Sequence, residues 1–421
     1  MKFEVLKRSH LKKYIIIGVV VILIISAVIL NFTRAKYRVT ESIPLVNGTI
    51  NYDLADLNAV AVYIEDGDDY SKSDTIPESG YTFNEENSYC TVNGEEDTSI
   101  TVSYDADIQS LSVSPLTTQG TKCYLYFDQV KTLNNAILAD NTVNEGTPDF
   151  SQVATTDEGV YKTEDNQGTS YYFRGAVTNN YVYFAGYYWR IIRINGDGSI
   201  RVIYNGISIN QTGESTQIGT SVFNESYDRS YYVGYTYAKN MQRPNVQNSG
   251  TASTIKGVLD NWYQTNIAGK GLDDKVVSIA GFCNDRNTAS GDTWSAMGSF
   301  DYAAYERLRT NKTPTLECSD TNDIYTTKVG LITADEVSMA GGVSRINNKS
   351  YYLYTKQDYW TLSPFSFSSV GNIYMFAAGS TGSLDFWDVE GASGVRPVIN
   401  LSADVTISSG DGTMNNPYVV N

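Results

Sequence analysis

One histidine occurs in 421 residues, and it is His10, in the basic amino-terminal segment. Beyond that segment the chain lacks the side chain that a Ser-His-Asp or Cys-His catalytic unit, a His-ligated zinc site and the usual general base near neutral pH all need. Cysteine is nearly as scarce. There are four, Cys90, Cys123, Cys283 and Cys318, with no C-x-x-C among them, which argues against a thiolate metal site. The sequence therefore singles out no catalytic residue, metal ligand or cofactor. Basic residues are also in deficit, 31 against 47 acidic ones for a net charge of −16. Eight of the 31 fall in the first 38 residues, so the remainder is more acidic still and repels nucleic acid and anionic lipid heads.

Long apolar runs are absent but for one. Tyr14–Leu30 is seventeen residues without a charge, and as a helix it covers about 26 Å, close to the ~30 Å hydrocarbon core of a bilayer. Lys2, Lys7, Arg8, Lys12 and Lys13 precede it against the single acid Glu4, which places the amino terminus inside and the bulk of the chain outside. Residues 1–38 thus read as a cytoplasmic basic segment and a transmembrane signal anchor, with the membrane as a partner through Tyr14–Leu30. A cleaved secretory signal is the competing reading, but the run is longer than a signal core and lacks an A-x-A-like end. Either way the four cysteines meet an oxidising compartment. Three pairings are formally possible, and the domain division favours Cys90–Cys123 with Cys283–Cys318.

Residues 40–128 alternate short β-rich runs, such as Val60–Ile64, Ile100–Tyr104 and Cys123–Phe127, with turn residues such as Asn93-Gly94. This spacing predicts an all-β, sandwich-like stalk module. A bridge closing the loop between Cys90 and Cys123 contributes about 3–4 kcal/mol to so small a core. Residues 129–150 read as a short helix and linker, with Val130, Leu133, Ile137 and Leu138 at near-helical spacing before Gly146-Thr147-Pro148.

The rest, 151–421, mixes strands with helices. Tyr187–Ile194 is apolar on both faces but for one arginine on each, which suits a strand covered on both sides, and Asn195-Gly196-Asp197-Gly198 signals a hairpin. Ile255, Val258, Leu259 and Trp262 form a helical stripe after Ser253. Tyr302–Leu308 reads as a further helix. Thr333-Ala334-Asp335-Glu336 matches a capping box, with Gly341-Gly342 ending the helix it starts. The class expected for the whole chain is α+β.

Trp189-Arg190-Ile191-Ile192, Trp360-Thr361-Leu362-Ser363-Pro364 and the segment Gly394–Leu401 resemble an uncharacterised domain of Gram-positive bacterial surface proteins over residues 170–421. That domain is similar to the C-type-lectin-like and formylglycine-generating-enzyme-like folds. The resemblance implies a C-type-lectin-like mixed α/β domain at 151–421 and a cell-surface location. It implies no calcium-dependent sugar binding, because E-P-N and Q-P-D are absent, and no oxidative chemistry, because no cysteine lies near Gly394–Leu401. It also implies a recognition surface in the loops between late strands. Here Gln357–Gly394 supplies Tyr359, Trp360, Phe365, Phe367, Phe386 and Trp387 as candidate ligand contacts. Phe365 and Phe367, in a serine-rich stretch, are the ones expected to be exposed. Arg396 is expected to make structural contacts, and the adjacent acids Asp273-Asp274 and Asp335-Glu336 to be helix-terminus charges. The function expected is a non-catalytic, membrane-anchored extracellular module for a protein or glycan ligand; the alternative is a carbohydrate-active or other carboxylate-dependent enzyme.

Overall fold

The computed structural model describes residues 60–67, 69–77, 80–105, 110–115, 120–243 and 249–420. The basic segment and Tyr14–Leu30 lie outside the described residues. No helix among the described residues is long and apolar enough to cross a membrane. The chain separates into two compact units, Met1–Val130 and Lys131–Asn421. The helix Leu133–Asp140 belongs to the second.

In the first unit a five-stranded sheet has the order Asp69–Ser73, Val60–Asp66, Thr121–Gln129, Tyr81–Val92, Glu95–Glu96. Alternation in Thr121–Gln129 decides its faces. Cys123, Leu125 and Phe127 point into a core completed by Val62, Cys90 and the hairpin residues Ile100, Val102 and Leu111. Tyr124 and Tyr126 point the other way, where they stack with Tyr63 and Tyr89 at centroid separations of 5.0 Å (Tyr63–Tyr126) and 4.9 Å (Tyr89–Tyr124). Among the described residues the second layer is the hairpin Thr101–Asp105 with Ser110–Ser114. Cys90 and Cys123 face each other on paired antiparallel strands and are bridged.

The second unit holds two larger sheets. The central run of the eleven-stranded one is Val276–Val277, Val398–Leu401, Ile200–Tyr204, Tyr187–Ile194, Gly168–Gly175, Asp157–Asp165. In Tyr187–Ile194 every residue from Trp189 on is buried. The six-stranded sheet places Tyr359–Phe367 between Ala392–Gly394 and Ile373–Ala378. Thr254–Asn266 buries Ile255, Leu259 and Tyr263 against the shared core. Ser253 occupies its N-cap position without a side-chain bond, leaving its hydroxyl buried and unpaired.

The α+β class, and with it the C-type-lectin-like mixed α/β domain, is not what forms. The chain is mostly β, 41% strand against 14% helix. Helix signals in the sequence were local and short-lived. The capping box at Thr333 forms but starts only Ala334–Ala340, which Gly341 ends at φ 120°. Tyr302–Leu308 yields three α-helical residues, Ala303–Tyr305, before the turn widens into the π-helical Glu306–Asn311. Much of the intervening chain is spent instead on two- and three-residue strands.

Candidate functional site

Within the Lys131–Asn421 unit a cavity of about 190 Å³ opens beside the two strands that carry arginine into the apolar sheet. Arg193 and Arg201 sit opposite each other on the hairpin that turns at Asn195–Gly198. Both are buried, so each needs an acid. Glu336 provides it. One oxygen accepts the Thr333 N–H at 2.9 Å to complete the capping box; the other accepts Arg193 Nε at 3.0 Å and Arg201 Nη1 at 2.8 Å. Asp165 accepts Arg193 Nη1 at 2.6 Å. It also accepts the N–H of Gly196, a position where any Cβ would strike the Asp165 carboxylate.

A second group adjoins the first. Arg307, on the π-helical turn, gives Nε and Nη2 to Asp335 at 2.9 and 2.7 Å and Nη2 to Asp285 at 2.5 Å. Asp335 and Glu336 are neighbours on one short helix, so the two groups share a wall. Gly281, at φ 61°, brings its carbonyl to Arg201 and leaves room for the Ile324 side chain, against which a Cβ would clash. The Cys283–Cys318 bridge lies in the wall and ties Phe282–Cys283 to the loop carrying Leu316 and Glu317. The two pairings favoured by the sequence are thus the two that form.

Electrostatics hold Glu336 and Arg307 in their charged forms. Burial pushes the Glu336 carboxyl up, but Arg201, Arg193 and the Thr333 N–H outweigh it and hold the group at about 2. For Arg307 burial acts downward, and Asp335 and Asp285 more than reverse it, raising the guanidinium above its ordinary value. Among the described residues no cluster of three or more metal-ligating side chains has the arrangement to hold an ion.

The aromatic residues expected to form the site are elsewhere. Tyr359, Trp360, Phe365 and Phe367 are all buried, because Pro364-Phe365-Ser366-Phe367 continues the central strand Tyr359–Phe367 instead of forming an exposed loop. Tyr359 donates to the Leu353 carbonyl and Trp360 to that of Ser221, as core residues do. Phe365 stacks on half-buried Phe386 at 4.2 Å, with Arg309 above both. Trp387, on the opposite face of its strand, is the one widely exposed member of the set, at 44%. Phe365 and Phe367 are therefore not surface contacts. Arg396 is fully buried and donates to the Tyr204 and Leu353 carbonyls and to Asn205 Oδ1, over the ring of Tyr359.

The cavity itself escaped the sequence reading, which assigned Asp335-Glu336 to a helix terminus. The signal was Arg193 and Arg201: charges in a strand pair covered on both faces demand acids from another part of the chain. No family model, curated protein or solved structure matches the chain.

Proposed function

We propose that this chain is a membrane-anchored surface protein whose Lys131–Asn421 unit binds an extracellular protein or glycan without transforming it. The observation that carries the non-catalytic reading is the pairing inside the cavity. Each of its buried carboxylates, Asp165, Asp285, Asp335 and Glu336, is engaged by an arginine at 3.0 Å or less. Glu336 is ionised down to about pH 2. General acid–base work near neutral pH asks for the opposite, a carboxyl raised toward 6–7 or a free base. The carboxylate-dependent enzyme is disfavoured on the same ground, since neither Asp335 nor Glu336 is free to act. Two bridged cysteine pairs and the Tyr14–Leu30 run behind a basic segment support residence outside a membrane.

The test is protease treatment of intact cells followed by fractionation. The expected result is loss of the mass carried by residues 40–421 with the amino-terminal stub retained in membranes. Recovery of a soluble form beginning near Lys36 with nothing left in membranes overturns the anchor, and full protection of the chain overturns the surface location. Turnover of any glycan incubated with the purified chain overturns the non-catalytic reading.

A further inference from the structure

The buried charges around the cavity are paired with one another, and beside those pairs hydrogen-bonding capacity stays open. Three guanidinium groups, Arg193, Arg201 and Arg307, face four buried carboxylates, every one in a contact of 3.0 Å or less, and the exposed Glu317 also lines the cavity, so acids are in excess. An anion meets this excess of acids, and any ion that engages the buried groups has to strip a partner from a pair, the costly way to break one. Yet donors stay open. Arg307 commits Nε and Nη2, and Arg193 commits Nε and Nη1, so Nη1 of the first and Nη2 of the second have no hydrogen bond among the described residues. The Ser363 hydroxyl accepts the Ala334 N–H and keeps its own proton to donate. Carboxylate oxygens retain lone pairs beside them: Glu336 Oε2 accepts only the Thr333 N–H, and Asp285 Oδ1 only Ser319. Part of the wall is apolar, from Ile279, Leu316 and Ile324 with the Cys283–Cys318 bridge, and Asn166, Gln167, Thr315, Glu317 and Thr321 line the rest of it.

We propose that the cavity takes one uncharged polyhydroxylated ring of pyranose size. Neighbouring hydroxyls on such a ring each donate and accept, so they bridge an open guanidinium N–H and an adjacent carboxylate without neutralising either. Its C–H face suits the Ile279, Leu316 and Ile324 side. The volume has room for one such ring, as a free monosaccharide or as the terminal residue of a glycan. The walls are held in place beforehand by the disulfide and the capping box, so little ordering cost falls on binding. The inference rests on reading the unit as a binding module.

The experiment uses the purified full-length chain in detergent, with ligand-detected NMR and calorimetry against glucose, galactose, mannose and N-acetylglucosamine. Glucuronate, glucosamine and glycine serve as charged comparators, and oligosaccharides ending in whichever sugar binds distinguish the two sources. The expected result is binding of at least one neutral pyranose at about millimolar Kd, unchanged between about 50 and about 500 mM salt. Ala280→Phe, which adds bulk at a lining residue that belongs to no ion pair, is expected to weaken it at least about tenfold, and Trp387→Ala to leave it alone. Should Ala280→Phe fail to fold, Ser363→Ala is the second variant, expected to weaken binding several-fold. Tighter, salt-sensitive binding of a charged comparator, binding that survives these cavity variants, or no binding of any neutral pyranose overturns the inference. Capture of a protein ligand with all sugars silent removes the ring and leaves the surface module; sugar binding by a chain that is not surface-exposed removes the module and leaves the ring.

Discussion

Glu336 closes the capping box with one oxygen and holds two guanidinium groups with the other, so removing its charge uncovers both. Glu336→Gln is expected to cost about 3–5 kcal/mol, read from denaturant midpoints, because Arg193 and Arg201 then lose a buried counter-charge. The same group sets a pH dependence. Its folded value, about 2, lies below the ordinary 4.5, so its contribution is fully present above the ordinary carboxylate range and is lost as pH falls through about 2. The gap in stability between wild type and Glu336→Gln should therefore be constant near neutrality and close between about pH 4.5 and 2; a gap that does not close assigns the loss to shape and not to charge. Phe365, buried against Phe376, Phe386 and Tyr305, gives the second residue-scale outcome. Phe365→Ala should destabilise by about 3–5 kcal/mol, as a core truncation does, whereas a surface aromatic would barely register.

At the scale of elements, what could be read from the sequence is what neighbours in the chain decide. The capping box at Thr333, the stripe Ile255–Trp262 and the hairpin at Asn195–Gly198 all depend on spacings under ten residues, and all three form. The cavity was not legible, because its pairs join Arg193 and Arg201 to Glu336 across 143 and 135 residues. Phe365 and Phe367 were misplaced for a related reason. Serines around them mimic a loop locally, and only pairing with Ile373–Ala378 on one side and Phe300–Asp301 on the other shows a strand. The disulfides act at this scale too. Replacing Cys90 and Cys123 by alanine should cost the first unit about 3–4 kcal/mol. Replacing Cys283 and Cys318 should raise hydrogen exchange in 279–285 and 313–321 while leaving Tyr187–Ile194 protected; uniform protection would mean that the bridge does not hold the wall.

Taken as a whole molecule, the chain has among the described residues one main core in each unit, one around Leu125 and Phe127 and one around Trp189 and Trp360, the second joined in its unit by a small satellite of Phe150, Tyr172 and Met339. Calorimetry should accordingly show two transitions, and the Cys90/Cys123 variant should lower only the one belonging to the smaller core. Val60–Asp66 and Thr121–Gln129, the first and last described strands of the first unit, run parallel through five residue pairs from Val60↔Cys123 to Ile64↔Phe127. A pull applied before Val60 and after Gln129 therefore runs lengthwise along the ladder. Its bonds must slide and fail together, where an antiparallel terminal pair would peel apart one bond after another. Between handles placed at positions 60 and 121, at the same end of both strands, the ladder should open at clearly lower force in an optical trap. If the chain is held before Val60 and gripped beyond Gln129, as the proposed anchoring has it, the load runs in the first of these directions, the one along which the parallel ladder resists most.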